Sequence, residues 1–472
     1  MAARTHLAAQ YAGGSHPPVA ARGDRTAQGT VARRVEGWRV LTPTRRVLYS
    51  LGTFGSSLLH QTVLLWVFYF YAPPADQGLP ARVAPAMLGL AIGLGRVVDA
   101  LADPMVAHWS DRLRGRAGRR RPFILAGAPV LALSFALVWR PPDAAVTTAN
   151  FVYLAGVLGV FYFVLTLVLN PYMALLPEVT HEGKDRISTA AWQAVFSLGG
   201  TAVAFAASAY LATRWGFGGM GLLLAAAGVL PLLAAGLAVQ ERAVDAPPTD
   251  FGPAMRTVVG CRPFRIFIVG FALLWLGLSM VQLSLALVVT VLMGLPRAAV
   301  GTVLAASVVG TIAAMPLITV AAHRIGSHRT LLAAMTASGL LLPLIASIGL
   351  WPAGVPVATQ GYVLMALAGP VLAALFTLPN AILADITQDV ARERGQRVEG
   401  MFFAFQGLIL NGATSISAAL LGGILQGLGY ALGLRATALV ATACVVAALV
   451  VFRRLPARAP AGTLAGAQAP GR

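Results

Sequence analysis

Apolar residues in this chain run on for about 20 positions at a time between short polar connections, with neither strict alternation nor a narrow helical stripe. A run of about 20 apolar residues is the length that carries an α-helix across roughly 30 Å of hydrocarbon. Twelve such segments can be drawn, at about 47–71, 84–107, 122–140, 149–173, 188–211, 219–240, 266–293, 298–320, 329–350, 357–384, 400–428 and 432–452. Strands of a membrane barrel would alternate between lipid-facing and lumen-facing side chains, and these segments do not, so helices are predicted throughout.

The longest internal connection, ERAVDAPPTDFGPAMRTVVGCRPFR at 241–265, divides the spans six and six. Equal halves invite a search for repetition. After the second span comes AHWSDRLRGRAGRRRPFILAG, and after the eighth comes AAHRIGSHRTLLAAM, both basic turns with glycine that lead into an apolar helix. The expected architecture is an all-α integral membrane protein of 12 transmembrane helices, in two pseudo-symmetric six-helix bundles at 47–240 and 266–452, with 241–265 as the central loop. Residues 1–46 hold eight arginines and no apolar core, so they read as a disordered basic arm rather than a signal peptide. The tail 453–472, rich in Ala, Gly and Pro, reads the same way.

Composition agrees with lipid as the main solvent: 57% of residues are hydrophobic and 11% charged, against about 25% charged in a soluble domain. A net charge of +18 raises the question of nucleic acid. Sorted by loop, however, about 29 of the 35 basic residues fall on the side shared by both termini and about 5 on the other, with Arg96 inside a span. That asymmetry is a topology signal: both termini and the loops 108–121, 241–265 and 386–399 are expected in the cytoplasm, with the chain in the inner membrane. The bilayer, not a nucleic acid, is the expected partner. Cys261 and Cys444 lack metal or redox spacing. No HExxH, GxSxG or phosphate-cradling glycine loop is present, so a transporter without a cofactor is expected rather than an enzyme.

The second span contains GLGRVVDALADP, with Arg96, Asp99 and Asp103 where lipid should be. Their i, i+3, i+7 spacing puts all three on one helical stripe, able to face a common interior. Each charge near mid-membrane costs about 2.5–3.5 kcal/mol on insertion scales, so the three call for a purpose. Arg96 can neutralise one carboxylate and leave one negative charge for a proton or small metal cation. A silent buried pair that only fastens the helix is the plainer alternative.

The stretch DALADPMVAHWSDRLRGRAGRRRPFIL resembles the helix 2 to helix 3 signature of the glycoside–pentoside–hexuronide cation symporters, a branch of the major facilitator superfamily that includes the melibiose carrier. NPYMALLPEVTHEGKDR at 170–186 resembles that family's exit from helix 4, and LPNAILADITQDVARERGQRVEGMFFAFQ at 378–406 its helix 10 to 11 connection. The resemblance implies alternating access by a chain working alone, with Asp99 and Asp103 in a cation site. It also implies a charge relay at the cytoplasmic helix ends from Asp111, Arg112, Arg119 and Arg120, joined by Glu178, Asp185, Arg186, Arg397 and Glu399. Topology anchoring and lipid-headgroup contact are a second use of the same charges. Four family charges are neutral here: a helix 4 acid falls at Leu169, a helix 11 lysine at Asn411, a helix 5 arginine at Gln193 or Ala194, and a helix 1 acid near Ser57.

Losing the helix 4 carboxylate removes an oxygen that sodium would want, so a proton is favoured as coupling ion. Sodium at Asp99 and Asp103, with oxygens from Asn170, Thr166 and Asn411, remains the alternative; Arg96 and Asn170 complete the expected cation-coupling set. Sugar hydroxyls need hydrogen-bonding partners once stripped of water. The candidates within the membrane are Ser56, Ser57, His60 and Gln61, Asn170 and Tyr172, Gln193, Gln282, Thr377, Asn380, Gln406 and Asn411, with Trp275 and Tyr162 as stacking faces. His60 is also a candidate proton relay. Symport of a glycoside or similar small solute is the expected function, and carriage of a lysophospholipid or other amphiphile the alternative.

Overall fold

The computed structural model describes residues 42–112, 118–180, 183–239, 260–351, 354–394 and 399–455. The basic arm to residue 41, most of the central loop and the tail from 456 lie outside the described residues. Pro43–Arg472 forms one compact unit. Within it lie eleven helices long and apolar enough to cross a membrane, one of them broken in two, so twelve crossings result among the described residues.

In chain order these are α1 (Pro43–Tyr71), α2 (Pro85–Arg112), α3 (Arg121–Val138), α4 (Thr148–Val179), α5 (183–215), α6 (217–238), α7 (Arg262–Leu292), α8 (Ala298–Ile325), α9 (Ser327–Ala346), α10 (Val357–Arg394), α11 (Glu399–Leu428) and α12 (Tyr430–Phe452). The end holding Pro43 and Phe452 is called proximal below, and the opposite end, holding Tyr71 and Leu428, distal.

Local chemistry places the ends. Proline in the first turn opens α3 and α7, where its missing N–H has no partner to lose. Thr147 caps α4 by accepting from the Asn150 N–H at 3.1 Å. Arg435 closes α9 from α12, donating to the carbonyls of Ala346 and Ile348.

Gly216 makes the break between α5 and α6. Its φ of 68° and ψ of 174° belong to a region that is essentially glycine's alone. The turn delivers Phe217 into a distal aromatic cluster, 4.7 Å from Phe70 and 5.8 Å from Trp139 by ring centroid. Substituting Gly216 with alanine is expected to cost about 1–3 kcal/mol and lower the thermal midpoint of the detergent-purified protein. Gly218→Ala, with open space around the added methyl, is the control and should shift it little.

Helices α1 to α6 form one set, with α1 on α5 and α2 on α4, while α7 on α12 and α8 on α10 belong to the second. The two sets meet along α2 with α11, α5 with α8 and α1 with α7. Their closest approaches lie distally. A methyl on Gly89 would overlap the Ala418 carbonyl oxygen, and one on Gly422 would overlap that of Pro85. Ser415 donates to the Gly93 carbonyl at 3.0 Å, and Gln426 accepts from the Ala86 N–H at 3.0 Å. Backbone thus abuts backbone between α2 and α11.

Candidate functional site

The α2 charges face inward, onto α1 and α4. Arg96 and Asp99 are buried and joined by one hydrogen bond of 3.3 Å. The other Asp99 oxygen accepts from the Thr166 hydroxyl on α4. Arg96 also reaches His60 Nε2 on α1 at 2.7 Å, and its guanidinium lies 4.2 Å over the Tyr162 ring. One turn further along α2, half-buried Asp103 accepts from the Asn170 side-chain amide at 3.1 Å and has no ion-pair partner among the described residues. The four expected coupling residues, Arg96, Asp99, Asp103 and Asn170, therefore share one locus with His60, Tyr162 and Thr166.

The arrangement separates two carboxylates by role. Asp99 has one oxygen on a cation and the other on a hydroxyl, so its charge is compensated. Asp103 meets a neutral amide, leaving a negative charge inside the membrane with no fixed counter-charge among the described residues. Among those residues, no group of three His, Cys, Asp or Glu is placed to hold a metal ion.

A cavity of about 340 Å³ lies between the two sets of helices, its lining reaching α1 at Gln61, the neighbour of His60. Its 22 lining residues include none that is charged. Seven are polar: Gln61, Ser197, Thr201, Gln282, Ser307, Thr311 and Ser338. Gln282 donates to Gln61 at 2.8 Å, tying α7 to α1 across the cavity. Thr201, Ser307 and Thr311 direct their hydroxyl hydrogens to carbonyls of their own helices, at 3.0, 2.7 and 2.8 Å, so they offer the cavity mainly acceptor oxygens. Ser57 pairs with Ser197 at 2.8 Å, behind the wall.

A second cavity, of about 220 Å³, lies among α7, α10 and α11. Trp275, Asn380 and Gln406 all line it, Gln406 donates to Asn380 at 3.1 Å, and the buried Trp275 indole N–H has no hydrogen-bond partner among the described residues. Phe376 belongs to the walls of both cavities.

Five expected substrate residues lie elsewhere: Ser56 and Thr377 donate to the carbonyls of Thr53 and Ala373 on their own helices, at 3.2 and 2.6 Å, and the others are Tyr172, Gln193 and Asn411. Tyr172 is fully buried and exchanges hydrogen bonds with Tyr49: its hydroxyl donates to the Tyr49 carbonyl at 2.7 Å and its carbonyl accepts from the Tyr49 hydroxyl at 2.6 Å. Gln193 donates to the Tyr172 hydroxyl at 3.0 Å. The group locks α1, α4 and α5 and lines neither cavity. Asn411 is buried on α11, also outside both linings.

At the proximal end Asp185 pairs with Arg46 at 2.6 Å, tying α5 to α1. Arg120 donates to the Ala174 carbonyl, and both it and Arg119 make further interactions. Arg186 is exposed. The side chains of Asp111, Arg112, Glu178 and Glu399, and the whole of Arg397, lie outside the described residues. Ser197, Thr201, Ser307, Thr311 and Ser338 were not among the sequence candidates. Isolated hydroxyls on apolar helices give no pattern by which to choose them, since most bond back to their own helix.

A family described as MFS/sugar transport protein matches residues 48–456. The chain belongs to this family. Among the chain's relatives, an uncharacterized symporter, sll1374, of Synechocystis sp. is 29% identical over 210 residues, covering 42% of this chain and 38% of that one. The glucuronide carrier protein homolog of Escherichia coli is 26% identical over 386 residues, 78% of this chain and 79% of the relative. The sodium-dependent lysophosphatidylcholine symporter 1 of Gallus gallus is 28% identical over 122 residues, 26% of this chain and 23% of its own. The alignments to the first relatives span little more than a third of those proteins' length. Among solved structures, the nucleoside transporter NupG superposes with a TM-score of 0.63 at 12% identity, covering 87% of this chain and 99% of NupG. The fold is thus the major facilitator fold of twelve membrane helices, in an integral membrane protein of the MFS/sugar transport family.

Proposed function

We propose that the protein is a proton-coupled symporter of an uncharged glycoside that carries an apolar portion, working by alternating access with both termini in the cytoplasm. The observation that carries the reading is the uncompensated Asp103 beside the compensated Arg96–Asp99 pair. A proton needs one carboxylate, whereas a metal ion needs several oxygens held around it. Here the Asp99 oxygens and the Thr166 hydroxyl already bond one another or Arg96.

The large cavity bears on the solute. A sugar donates hydroxyl hydrogens, and the wall supplies acceptors from Gln61, Gln282, Ser307 and Thr311. The fifteen apolar lining residues suit an aglycone. That apolar majority also favours a second reading, carriage of an amphiphile such as a lysophospholipid. Against it, a phosphate is held best by cationic donors, and the cavity lining holds no charge.

Purified protein in sealed vesicles, under an imposed proton or sodium gradient, tests both readings with labelled alkyl or aryl glycoside, free hexose and lysophosphatidylcholine. Proton-driven accumulation of the glycoside is the expected result. Accumulation of the lysolipid alone overturns the solute assignment, and dependence on sodium alone overturns the ion.

A further inference from the structure

We infer that His60 is a positioning residue that holds Arg96 partly away from Asp99, and that its neutral state is a condition for cation coupling. The inference rests on the cation site proposed above, and the juxtaposition that carries it is the His60–Arg96–Asp99 chain spanning α1 and α2.

The direction of the His60–Arg96 hydrogen bond follows from chemistry. Arginine has no acceptor and stays protonated in proteins, so at 2.7 Å the imidazole Nε2 is the acceptor. His60 is therefore neutral in this arrangement, with its hydrogen on Nδ1. The guanidinium is held more closely by the imidazole than by the carboxylate, whose 3.3 Å contact is longer than the roughly 2.7–2.9 Å usual for charge-assisted bonds. Tyr162 covers its face at 4.2 Å. Arg96 is thus shared: it compensates Asp99 through one nitrogen and is restrained from a two-pronged grip by His60.

The sharing has a functional consequence because of where α1 points. His60 turns toward the charged cluster, while its neighbour Gln61 lines the large cavity and bonds Gln282 on α7. One helix turn then carries both the clamp on Arg96 and a wall of the solute chamber. A solute that pulls on Gln61 moves His60, and through it the hold of Arg96 on Asp99.

The charged and titratable groups facing His60 among the described residues are few. From α2 these are Arg96 and Asp99, with Asp103 a turn away, and from α4 Tyr162. Among residues whose side chains are described, the charges of α1 itself (Arg45, Arg46), of α5 (Asp185, Arg186, Arg214) and of α7 (Arg262, Arg265) all occupy helix-end positions. Protonating His60 would set an imidazolium N–H against a guanidinium N–H, so the contact breaks and Arg96 is driven onto Asp99. Solute exchange is expected to fall on the acid side for that reason.

Three measurements test this in the full-length protein. In the nitrogen-15 spectrum of histidine-labelled protein, with His60 assigned by its loss in His60→Gln, Nε2 should be unprotonated at neutral pH; a protonated Nε2 overturns the inference without touching the Asp103 reading. His60→Ala frees Arg96 to grip Asp99, which damps the negative field of Asp99 at Asp103 one turn away and should raise the half-saturating proton concentration severalfold. His60→Gln, whose amide oxygen can accept from Arg96 but cannot titrate, should recover most of that affinity and lose the acid-side fall in exchange. If both variants behave alike, or His60→Gln keeps the acid limb, the role is overturned. Should His60→Gln fold poorly, the tautomer of the wild-type imidazole, assigned with His60→Ala, still decides. Failure of the coupling reading would show separately, as uphill transport that survives Asp103→Asn.

Discussion

Replacing Asp103 with asparagine is expected to collapse uphill accumulation to simple equilibration, while exchange of internal for external solute continues. The charge of Asp103 has no fixed partner among the described residues, and an uncompensated charge inside a span costs at most about 2.5–3.5 kcal/mol on insertion scales, which is at most about 70- to 370-fold against the unprotonated carrier closing around it. That penalty ties solute movement to proton movement. Asparagine is close to the same shape, keeps a partner for Asn170 and carries no charge in any state, so the carrier crosses without a proton. Labelled solute in vesicles under an imposed proton gradient, followed by counterflow without one, measures the two activities. Full accumulation by the variant would remove Asp103 from the mechanism. Asp99→Asn is expected to differ: it strands Arg96 without its counter-charge, and breaking a buried pair from one side costs about 3–5 kcal/mol, so yield and thermal midpoint fall before transport can be read.

The second large effect is expected at the distal seam. Alanine at both Gly89 and Gly422 drives methyl groups into the facing carbonyl oxygens of Ala418 and Pro85, so α2 and α11 cannot keep this approach. Overpacking of this kind costs about 1–3 kcal/mol, a shift of about 5- to 150-fold in a two-state equilibrium, here toward a distally open carrier. Transport should fall by a similar factor. A cysteine in place of Ser415, whose hydroxyl now bonds the Gly93 carbonyl, should react faster with an impermeant thiol reagent in the double variant than in the glycine parent. Equal reaction rates would mean that the seam does not open there.

Much of this was legible in advance, for identifiable reasons. The twelve spans follow from apolar length alone, and the observed helices overlap the expected ones throughout. They run longer at the proximal end: α2 continues to Arg112, α4 to Val179 and α10 to Arg394. An apolar criterion stops at the first charges, but backbone hydrogen bonding proceeds through them. The Arg96, Asp99 and Asp103 stripe was readable because helical spacing is local. Which polar group meets which was not. Tyr172 and Gln193 looked like cavity residues, yet their partners are Tyr49 and one another, 123 and 21 positions away in the chain. His60 stood in the sequence as a solute contact and a proton relay, and its hydrogen bond to Arg96, 36 residues on, could not be read from either.

Phe376 gives the two cavities a common wall, one side holding the Gln61–Gln282 bridge and the other the Trp275 indole, whose N–H is still without an acceptor among the described residues. The Phe376 benzyl group is the one side chain the two linings share. A rotamer on α10 therefore bears on how far cargo in one chamber can extend toward the other, and trimming Phe376 to alanine is expected to lengthen the series of alkyl glycosides that compete for uptake; an unchanged series would mean that the ring does not set that limit.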